Sequence, residues 1–264
     1  METTQTWHHG LVAEWWANFN TDGPEIEYFR RHVEHALPVL DAGCGTGRLL
    51  VPWLQAGIDV DGCDASADMV ALCRERARRE GFEPTLFVQT LHGLDPPRRY
   101  GSIVVCGVFG LGSTRAEDEE ALRRLHACLE PGGTLLLDNQ VPYSNTNMWP
   151  RWTKPGREEL PSDWRPPEPE WREAGAGIEY SLQGQVRAFD PLDQSTQLLM
   201  RAQKRVGGEV VATEEHRLSM RMYFRDELLL LLERAGFEPV RVEAGYTGAE
   251  PTADDDFLVF IASG

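Results

Sequence analysis

The chain has 264 residues, of which 41% are hydrophobic and 26% are charged. This balance is typical of a globular protein and excludes a disordered chain. The 42 acidic side chains outnumber the 26 basic ones and give a formal net charge of −16. Because such a charge repels phosphate backbones, we expect no nucleic-acid partner.

The sequence gives no sign of a membrane segment or of secretion. No apolar run approaches the roughly 20 residues that cross a bilayer, and the first ten residues lack the basic and apolar regions of a signal peptide. The five cysteines include no Cys-x-x-Cys pair. We interpret them as free thiols of a cytoplasmic protein and expect no metal site.

Short apolar runs alternate with helical patterns over the first 140 residues, which predicts βαβ units and a parallel sheet. Strands are predicted at 39–42, 58–63, 85–88, 102–106 and 134–137. Helices are predicted at 48–55, after Ser66 as N-cap, and over 114–130. From Phe224 onward, a leucine-rich helix ending at Gly236 and strands at 240–242 and 257–261 restore this pattern.

The intervening segment has a different character. Six prolines and several tryptophans between residues 150 and 171 predict an irregular but ordered loop or lid. Three runs of alternating apolar residues follow, with Gly207-Gly208 as a hairpin turn between the last two. The whole pattern predicts an α/β fold with a doubly wound, seven-stranded, mostly parallel sheet and an inserted antiparallel β meander lying against it.

The most informative segment is a glycine-rich turn after the first strand. Glycines at 43, 45 and 47 let the backbone approach a ligand without an intervening Cβ. The dinucleotide fingerprint needs a further glycine where Arg48 stands, and the Gly-Lys-Ser/Thr ending of a P-loop is absent. Asp64, at the end of the second strand, is placed to accept hydrogen bonds from both hydroxyls of a ribose. These features predict a nucleoside site without machinery for a pyrophosphate.

These segments resemble the class I S-adenosylmethionine-dependent methyltransferases. Residues 39–47 are similar to the first motif of that family, 62–66 to its ribose-binding segment, and 129–135 to its turn into the fifth strand. The resemblance covers about 37–139 and 223–261. It implies a Rossmann-like methyltransferase fold, S-adenosyl-L-methionine as methyl donor and S-adenosyl-L-homocysteine as product.

The resemblance also implies roles for individual residues. Asp41 would orient the glycine loop or receive the ammonium of the cofactor, and Asp64 would hold its ribose. The family often has an acidic residue for the adenine amino group where this chain has Gln89-Thr90-Leu91, so Thr90 or the Leu91 amide is expected to substitute. The complete set of expected cofactor-binding residues is Trp16, Asp41, Gly43, Cys44, Gly45, Gly47, Asp64, Ala65, Met69, Thr90, Leu91 and Cys106.

Methyl transfer from a sulfonium is an in-line displacement in which the protein aligns and desolvates the reactants, so no catalytic triad is expected. Ligands bind beyond the carboxyl ends of the strands. The substrate-binding candidates there are Asn139, Tyr143, Trp149, Trp152 and Arg221. Tyr143 and His216 are candidates for a general base, with ordinary packing as the alternative. His8 and His9 could also reach the site, although a frayed terminus is the alternative for both.

The expected organisation has three parts. Residues 1–36 form an N-terminal helical lid, 37–149 with 223–264 form the cofactor-binding α/β domain, and 150–222 form a substrate cover. This insert is similar to that of small-molecule N-methyltransferases, including glycine/sarcosine and amino-sugar enzymes. We therefore expect a small-molecule acceptor, with nitrogen preferred and oxygen next. The alternatives are an NAD-dependent oxidoreductase and a cofactor-binding protein without transferase activity; the oligomeric state stays open.

Overall fold

The computed structural model describes residues 6–144 and 148–264. Residues 1–5, where the expected lid begins, and 145–147 lie outside the described part. Among the described helices, none combines the length and the hydropathy that a membrane span requires.

Helices and strands alternate through most of the described chain. The helices are α1 (Gly10–Phe19), α2 (Pro24–Val33), α3 (Leu50–Gln55), α4 (Ala67–Arg79), α5 (Arg115–Cys128), α6 (Lys154–Glu158) and α7 (Arg225–Ala235). The strands are β1 (Val39–Ala42), β2 (Val60–Asp64), β3 (Leu86–Val88), β4 (Tyr100–Val105), β5 (Leu129–Gln140), β6 (Arg172–Gly175), β7 (Ile178–Asp190), β8 (Ser195–Val206), β9 (Glu209–Arg221), β10 (Val240–Ala244) and β11 (Phe257–Ser263).

Seven strands form one sheet in the order β10-β11-β5-β4-β1-β2-β3. Strands β1 to β5 are parallel, and β11 runs antiparallel to both β5 and β10. The prediction of a doubly wound, mostly parallel seven-stranded sheet is confirmed. Since β1, β2, β4 and β5 are parallel, the loops that follow them emerge at one edge of the sheet, where ligands of such folds bind.

Hydrophobic clusters on both faces hold the helices to this sheet. On one face, Leu122 of α5 and Leu232 of α7 pack with Phe260 of β11. On the other, Phe29 of α2 and Trp53 of α3 pack with other fully buried residues of the sheet. This burial is the main favourable contribution to folding and fixes the strand ends that carry the site.

Local signals set several of the element boundaries. The Ser66 hydroxyl accepts the Met69 N–H at the start of α4, and Thr114 and Glu117 form a reciprocal capping box at the start of α5. Gly236 ends α7 in the left-handed conformation at φ 103°. The Ser66 cap and the Gly236 terminator are as the sequence pattern predicts, and the capping box at the start of α5 is a further local signal.

Most predicted boundaries agree with the structure to within two residues, and three larger differences follow. Strand β5 begins at Leu129 rather than at 134, because Leu129 already pairs with Tyr100 of β4. Residues 149–158 form a 3-10 turn and the short helix α6, so the prediction of an entirely irregular segment was wrong there. The meander has a fourth strand, β6, whose four exposed residues carry no alternating pattern.

The sequence pattern predicts that the meander lies against the larger sheet. In the structure, the four-stranded sheet β6-β7-β8-β9 packs on α1 instead. Leu11 and Val12 of α1 contact Tyr180 of β7 and Ala202 of β8. The end of β9 also pairs with the loop after β4, where the Gly112 N–H donates to the Ser219 carbonyl at 2.7 Å and the Arg221 N–H donates to the Gly110 carbonyl at 2.8 Å. The insert is therefore bound to a loop at the carboxyl edge of the larger sheet.

Candidate active site

The glycine loop after β1 has a backbone that other residues adopt rarely. Gly43, Gly45 and Gly47 have φ angles of 97°, 52° and 84°. A Cβ on Gly43 would lie 2.5 Å from Cγ2 of Val108, whereas nothing lies within 4 Å of the corresponding position on Gly45. Glycine is thus required at 43 by packing as well as by conformation, and the open space at Gly45 faces a cavity.

Asp64 supports this loop from the neighbouring strand. Its Oδ2 accepts the backbone N–H of Gly45 at 3.0 Å, and its Oδ1 accepts the backbone N–H of Ser66 at 2.8 Å. Burial raises the pKa of Asp64, and the two backbone donors oppose that rise. The carboxylate therefore joins the glycine loop to the start of α4 while it lines the cavity.

Two buried polar atoms on the cavity wall have no partner among the described residues. They are Oδ2 of Asp41, at the end of β1, and Nε1 of Trp16, on α1. Burial and the neighbouring charge of Asp64 raise the pKa of Asp41 to about 7. Because buried polar groups are nearly always hydrogen-bonded, these two atoms indicate that a ligand completes the site.

This first cavity runs from the glycine loop to the loops after β3 and β4. Every expected cofactor-binding residue except Gly47 lines it. Gly47 does not line the cavity. A Cβ on this residue would lie 2.9 Å from the sulfur of Cys73 on α4. Residues from distant parts of the sequence are therefore brought to one cavity, as the nucleoside-site prediction requires.

The end of the cavity beside β3 contains both an expected residue and two that the sequence analysis missed. The Thr90 hydroxyl accepts the Gly93 N–H at 3.1 Å and so caps a 3-10 turn. His92, in this turn, lies 3.7 Å from Glu117 of α5, and both line the cavity. The sequence pattern indicates Glu117 only as one of the acidic residues that suit the start of a helix, and nothing in that pattern places His92 beside it.

A buried carboxylate at the end of β5 was also missed. Asp138 accepts the Gly107 N–H on Oδ1 at 2.5 Å, and on Oδ2 it accepts the Cys106 thiol at 3.2 Å and the Tyr246 hydroxyl at 2.5 Å. Burial raises the pKa of Asp138. The sequence contains one signal that could have identified Asp138. Like Asp64, it is a carboxylate at the carboxyl end of a parallel strand.

A second cavity adjoins the first, and the two share Gly107, Val108 and Leu111 as wall residues. It contains two of the expected substrate-binding residues, Asn139 and Arg221. The Asn139 amide donates to the Tyr223 carbonyl at 3.0 Å. A cavity therefore lies at the edge of the sheet where the substrate site is predicted, beyond the fourth and fifth strands.

The other acceptor-site candidates lie elsewhere in the described structure. Tyr143, Trp149, Trp152 and His216 line neither cavity. Trp152 packs against Phe189 and Phe224. The His216 ring is 3.0 Å from the Glu214 carboxylate on its own strand. Trp152 and His216 are thus engaged by neighbouring side chains, whereas Tyr143 and Trp149 are exposed.

Residues 6–16 contact the rest of the protein, contrary to the frayed terminus weighed for His8 and His9. Thr6, His8 and Trp16 line the first cavity, and the Ser66 hydroxyl donates to the His8 carbonyl. Burial lowers the pKa of His8 to about 4, with the neighbouring His9 as a smaller cause. His8 is consequently neutral at neutral pH.

Comparison with known proteins gives the same assignment as this geometry. The family model described as a methyltransferase domain matches residues 39–133, the part that contains the glycine loop, Asp64 and Cys106. The chain is 23% identical over 245 residues to the putative methyltransferase YqeM of Bacillus subtilis, and the match covers 89% of each protein. The chain is therefore an S-adenosylmethionine-dependent methyltransferase, with its methyltransferase domain at residues 39–133.

The methyltransferase is also similar to proteins with described acceptors. It is 29% identical over 150 residues to the glycine/sarcosine N-methyltransferase of Halorhodospira halochloris, a match that covers 52% of this chain and 54% of that protein. The S-adenosylmethionine-bound structure of CalS10, an amino pentose methyltransferase from Micromonospora echinaspora, has the same fold, with a TM-score of 0.65, 16% identity and 98% of each chain covered.

The first cavity of the methyltransferase fits S-adenosylmethionine on its own geometry. The glycines leave space beside the backbone, Asp41 offers an unpartnered carboxylate oxygen, and Trp16 offers an unpartnered N–H. The oxidoreductase alternative gains no such support. Arg48, at the position where a dinucleotide site has glycine, forms an ion pair with Glu25 instead.

Proposed function

We propose that the methyltransferase transfers a methyl group from S-adenosylmethionine to a small molecule, with nitrogen as the preferred acceptor and oxygen next, by in-line displacement. The observation that carries this proposal is the wall shared by the two cavities. Gly107, Val108 and Leu111 border both, so a cofactor and an acceptor can be held side by side. Such alignment is the main contribution that a protein makes to a displacement of this kind.

The bound cofactor supplies an electrophilic methyl group, and the side chains of the chain bind and orient the reactants. We assign Asp64 to the ribose, Asp41 to the glycine loop and the cofactor ammonium, and the backbone of Cys106 to the methionine end. Thr90 and Leu91 are assigned to the adenine. The partly buried apolar residues Val108 and Leu111 would help to exclude water from the space between the reactants.

The three-part organisation is part of this proposal. In it, residues 1–36 close the first cavity, the α/β domain binds the cofactor, and the insert 150–222 covers the acceptor. Two contacts support it: Trp16 and His8 line the first cavity, and Met220, Arg221 and Met222 line the second. The free, buried cysteines are consistent with a cytoplasmic location.

Two relatives support a small amine as the acceptor. One is described as a glycine/sarcosine N-methyltransferase and another as an amino pentose methyltransferase. Both act on compact, amine-bearing molecules by their descriptions. A cavity enclosed partly by an insert suits molecules of that size, because the insert limits access from solvent.

The direct test uses S-adenosylmethionine with a deuterated methyl group and a panel of small amines, each paired with its hydroxyl analogue. Mass spectrometry should detect a labelled methyl group on an amine, together with an equal amount of S-adenosylhomocysteine. The Asp64→Ala variant serves as the control and should form less of both. Methylation of nucleic acid or protein alone, with no labelled small molecule, would contradict the proposal.

A further inference from the structure

The wall of the second cavity is mainly apolar and unusually rich in methionine. Met148, Met220 and Met222 line it together with Phe109 and Phe257. Methionine side chains are flexible and polarisable, so such a wall adapts to an apolar body of irregular shape. The polar groups on this wall are few, and they decide what part of an acceptor enters.

Two of these polar residues are already engaged. The amide of Asn139 donates to a backbone carbonyl. The guanidinium of Arg221 pairs with Asp193 at 3.0 Å and with Asp118 at 3.7 Å. Its positive charge is thus matched by two carboxylates, so Arg221 offers no free charge for an anionic acceptor. Its Nε–H has no hydrogen-bond partner among the described residues, and an uncharged oxygen would satisfy it.

Asp138 differs from both of them. Its three hydrogen-bond donors, Gly107, Cys106 and Tyr246, carry no positive charge. The cation nearest to this group is Arg48, which lies 3.7 Å from the Cys106 sulfur and is itself paired with Glu25. Within the described residues, Asp138 makes no ion pair of its own. Its carboxylate therefore leaves an unbalanced negative charge on the wall of the second cavity, hydrogen-bonded to Gly107, which borders both cavities.

We propose that the second cavity takes a protonated amine on an apolar body, and that the charge of Asp138 selects it over alcohols and over phosphorylated molecules. This inference rests on the proposed function and narrows its acceptor. The ammonium group of the ligand need not touch the Asp138 carboxylate, because two charges interact over several ångströms when both are removed from water. A phosphate group is negatively charged, so the same carboxylate would repel it.

The test compares three ligands that share one body: benzylamine, benzyl alcohol and benzyl phosphate. Each is titrated into the protein saturated with S-adenosylhomocysteine at neutral pH, and binding is followed by ligand-detected NMR. Wild-type protein should bind benzylamine roughly tenfold more tightly than benzyl alcohol, the ratio that one modest charge interaction gives. Benzyl phosphate should bind more weakly than either.

Asp138→Asn keeps the shape of the side chain and removes its charge. This variant should bind the amine and the alcohol with similar affinity, and the alcohol as tightly as wild type does. Glu130→Gln is the matched control, since it removes one charge from an exposed position at the other end of β5. It should keep the wild-type preference, and thermal melting should show that both variants are folded.

The wild-type comparison decides the ligand class even if Asp138→Asn fails to fold. Equal affinity for amine and alcohol, or tighter binding of the phosphate, overturns the inference, as does an amine preference that persists in folded Asp138→Asn. Transfer of the labelled methyl group to a phosphorylated acceptor without an amine would leave methyl transfer standing and overturn this inference alone. Absence of any methyl transfer, with the amine preference intact, would instead count against the proposed function.

Discussion

The carboxylate of Asp64 accepts the backbone N–H of Gly45 at 3.0 Å, so the side chain assigned to the ribose also holds the glycine loop. Its second oxygen accepts the Ser66 N–H at the start of α4. One residue thus fixes two elements of the first cavity as well as facing its interior. Cofactor affinity should depend on Asp64 for both reasons.

Replacing Asp64 with alanine should weaken the binding of S-adenosylhomocysteine by about 1–3 kcal/mol, through the loss of hydrogen bonds to a charged group. Calorimetric titration measures this change. Glu83→Ala, which removes a carboxylate that is 83% exposed, should leave the dissociation constant unchanged. An unaltered dissociation constant in Asp64→Ala would remove both the ribose assignment and the loop-holding role.

Gly43→Ala should lower both stability and cofactor affinity, because the new Cβ would be 2.5 Å from Val108 and the backbone has positive φ. Gly57→Ala is a matched control, with a φ of 80° and open space around the new Cβ. The control should lose about 1–2 kcal/mol of folding stability, because alanine is strained in the left-handed backbone conformation. Urea unfolding measures both variants; an equal loss in the two would mean that the contact with Val108 does not matter.

Trp16→Phe should weaken cofactor binding by about 0.5–1.5 kcal/mol, if the ligand accepts a hydrogen bond from the indole N–H. Trp15 provides the comparison, because its buried N–H is also unpartnered but it does not line the cavity. Trp15→Phe should therefore bind S-adenosylhomocysteine as wild type does. Equal effects of the two substitutions would show that the helix packing is disturbed and that the N–H makes no contact.

The raised pKa of Asp41 predicts how stability changes with pH. The folded protein retains this proton up to about pH 7, whereas the unfolded chain releases it near 3.8. The contribution of Asp41 to stability is therefore fully present below pH 3.8 and is lost as the pH rises through 7. Asp41→Asn cannot ionise, so its melting temperature should rise relative to wild type between pH 5 and pH 8. A constant difference would exclude the shifted pKa.

The same group predicts the pH dependence of cofactor binding. S-adenosylmethionine is positively charged and favours ionised Asp41, so its affinity should fall as the pH is lowered from 8 to 6, by up to about tenfold per pH unit. Calorimetry at several pH values measures this. Asp41→Asn should bind more weakly and show a smaller pH dependence; an unchanged slope in that variant would assign the effect to another group.

The sequence predicted the sheet and the first cavity well because both depend on local signals. Strand and helix periodicity, the Ser66 cap and the glycines at 43 and 45 each act within a few residues. The residues that were missed depend on distant partners. Asp138 gains its environment from Tyr246, 108 residues away, and β6 exists only because it pairs with β7. The tryptophans near the proline-rich segment were predicted to bind the substrate. In the structure, Trp152 packs against Phe189 and Phe224 instead.

The central claim is that a bent glycine loop and the carboxylate on the next strand bind an adenosyl sulfonium. Isothermal titration of the folded chain with S-adenosylmethionine, and separately with S-adenosylhomocysteine, tests it most directly. We expect one molecule bound per chain in each titration. A folded protein that gives no binding heat with either compound, at several temperatures, would contradict the assignment.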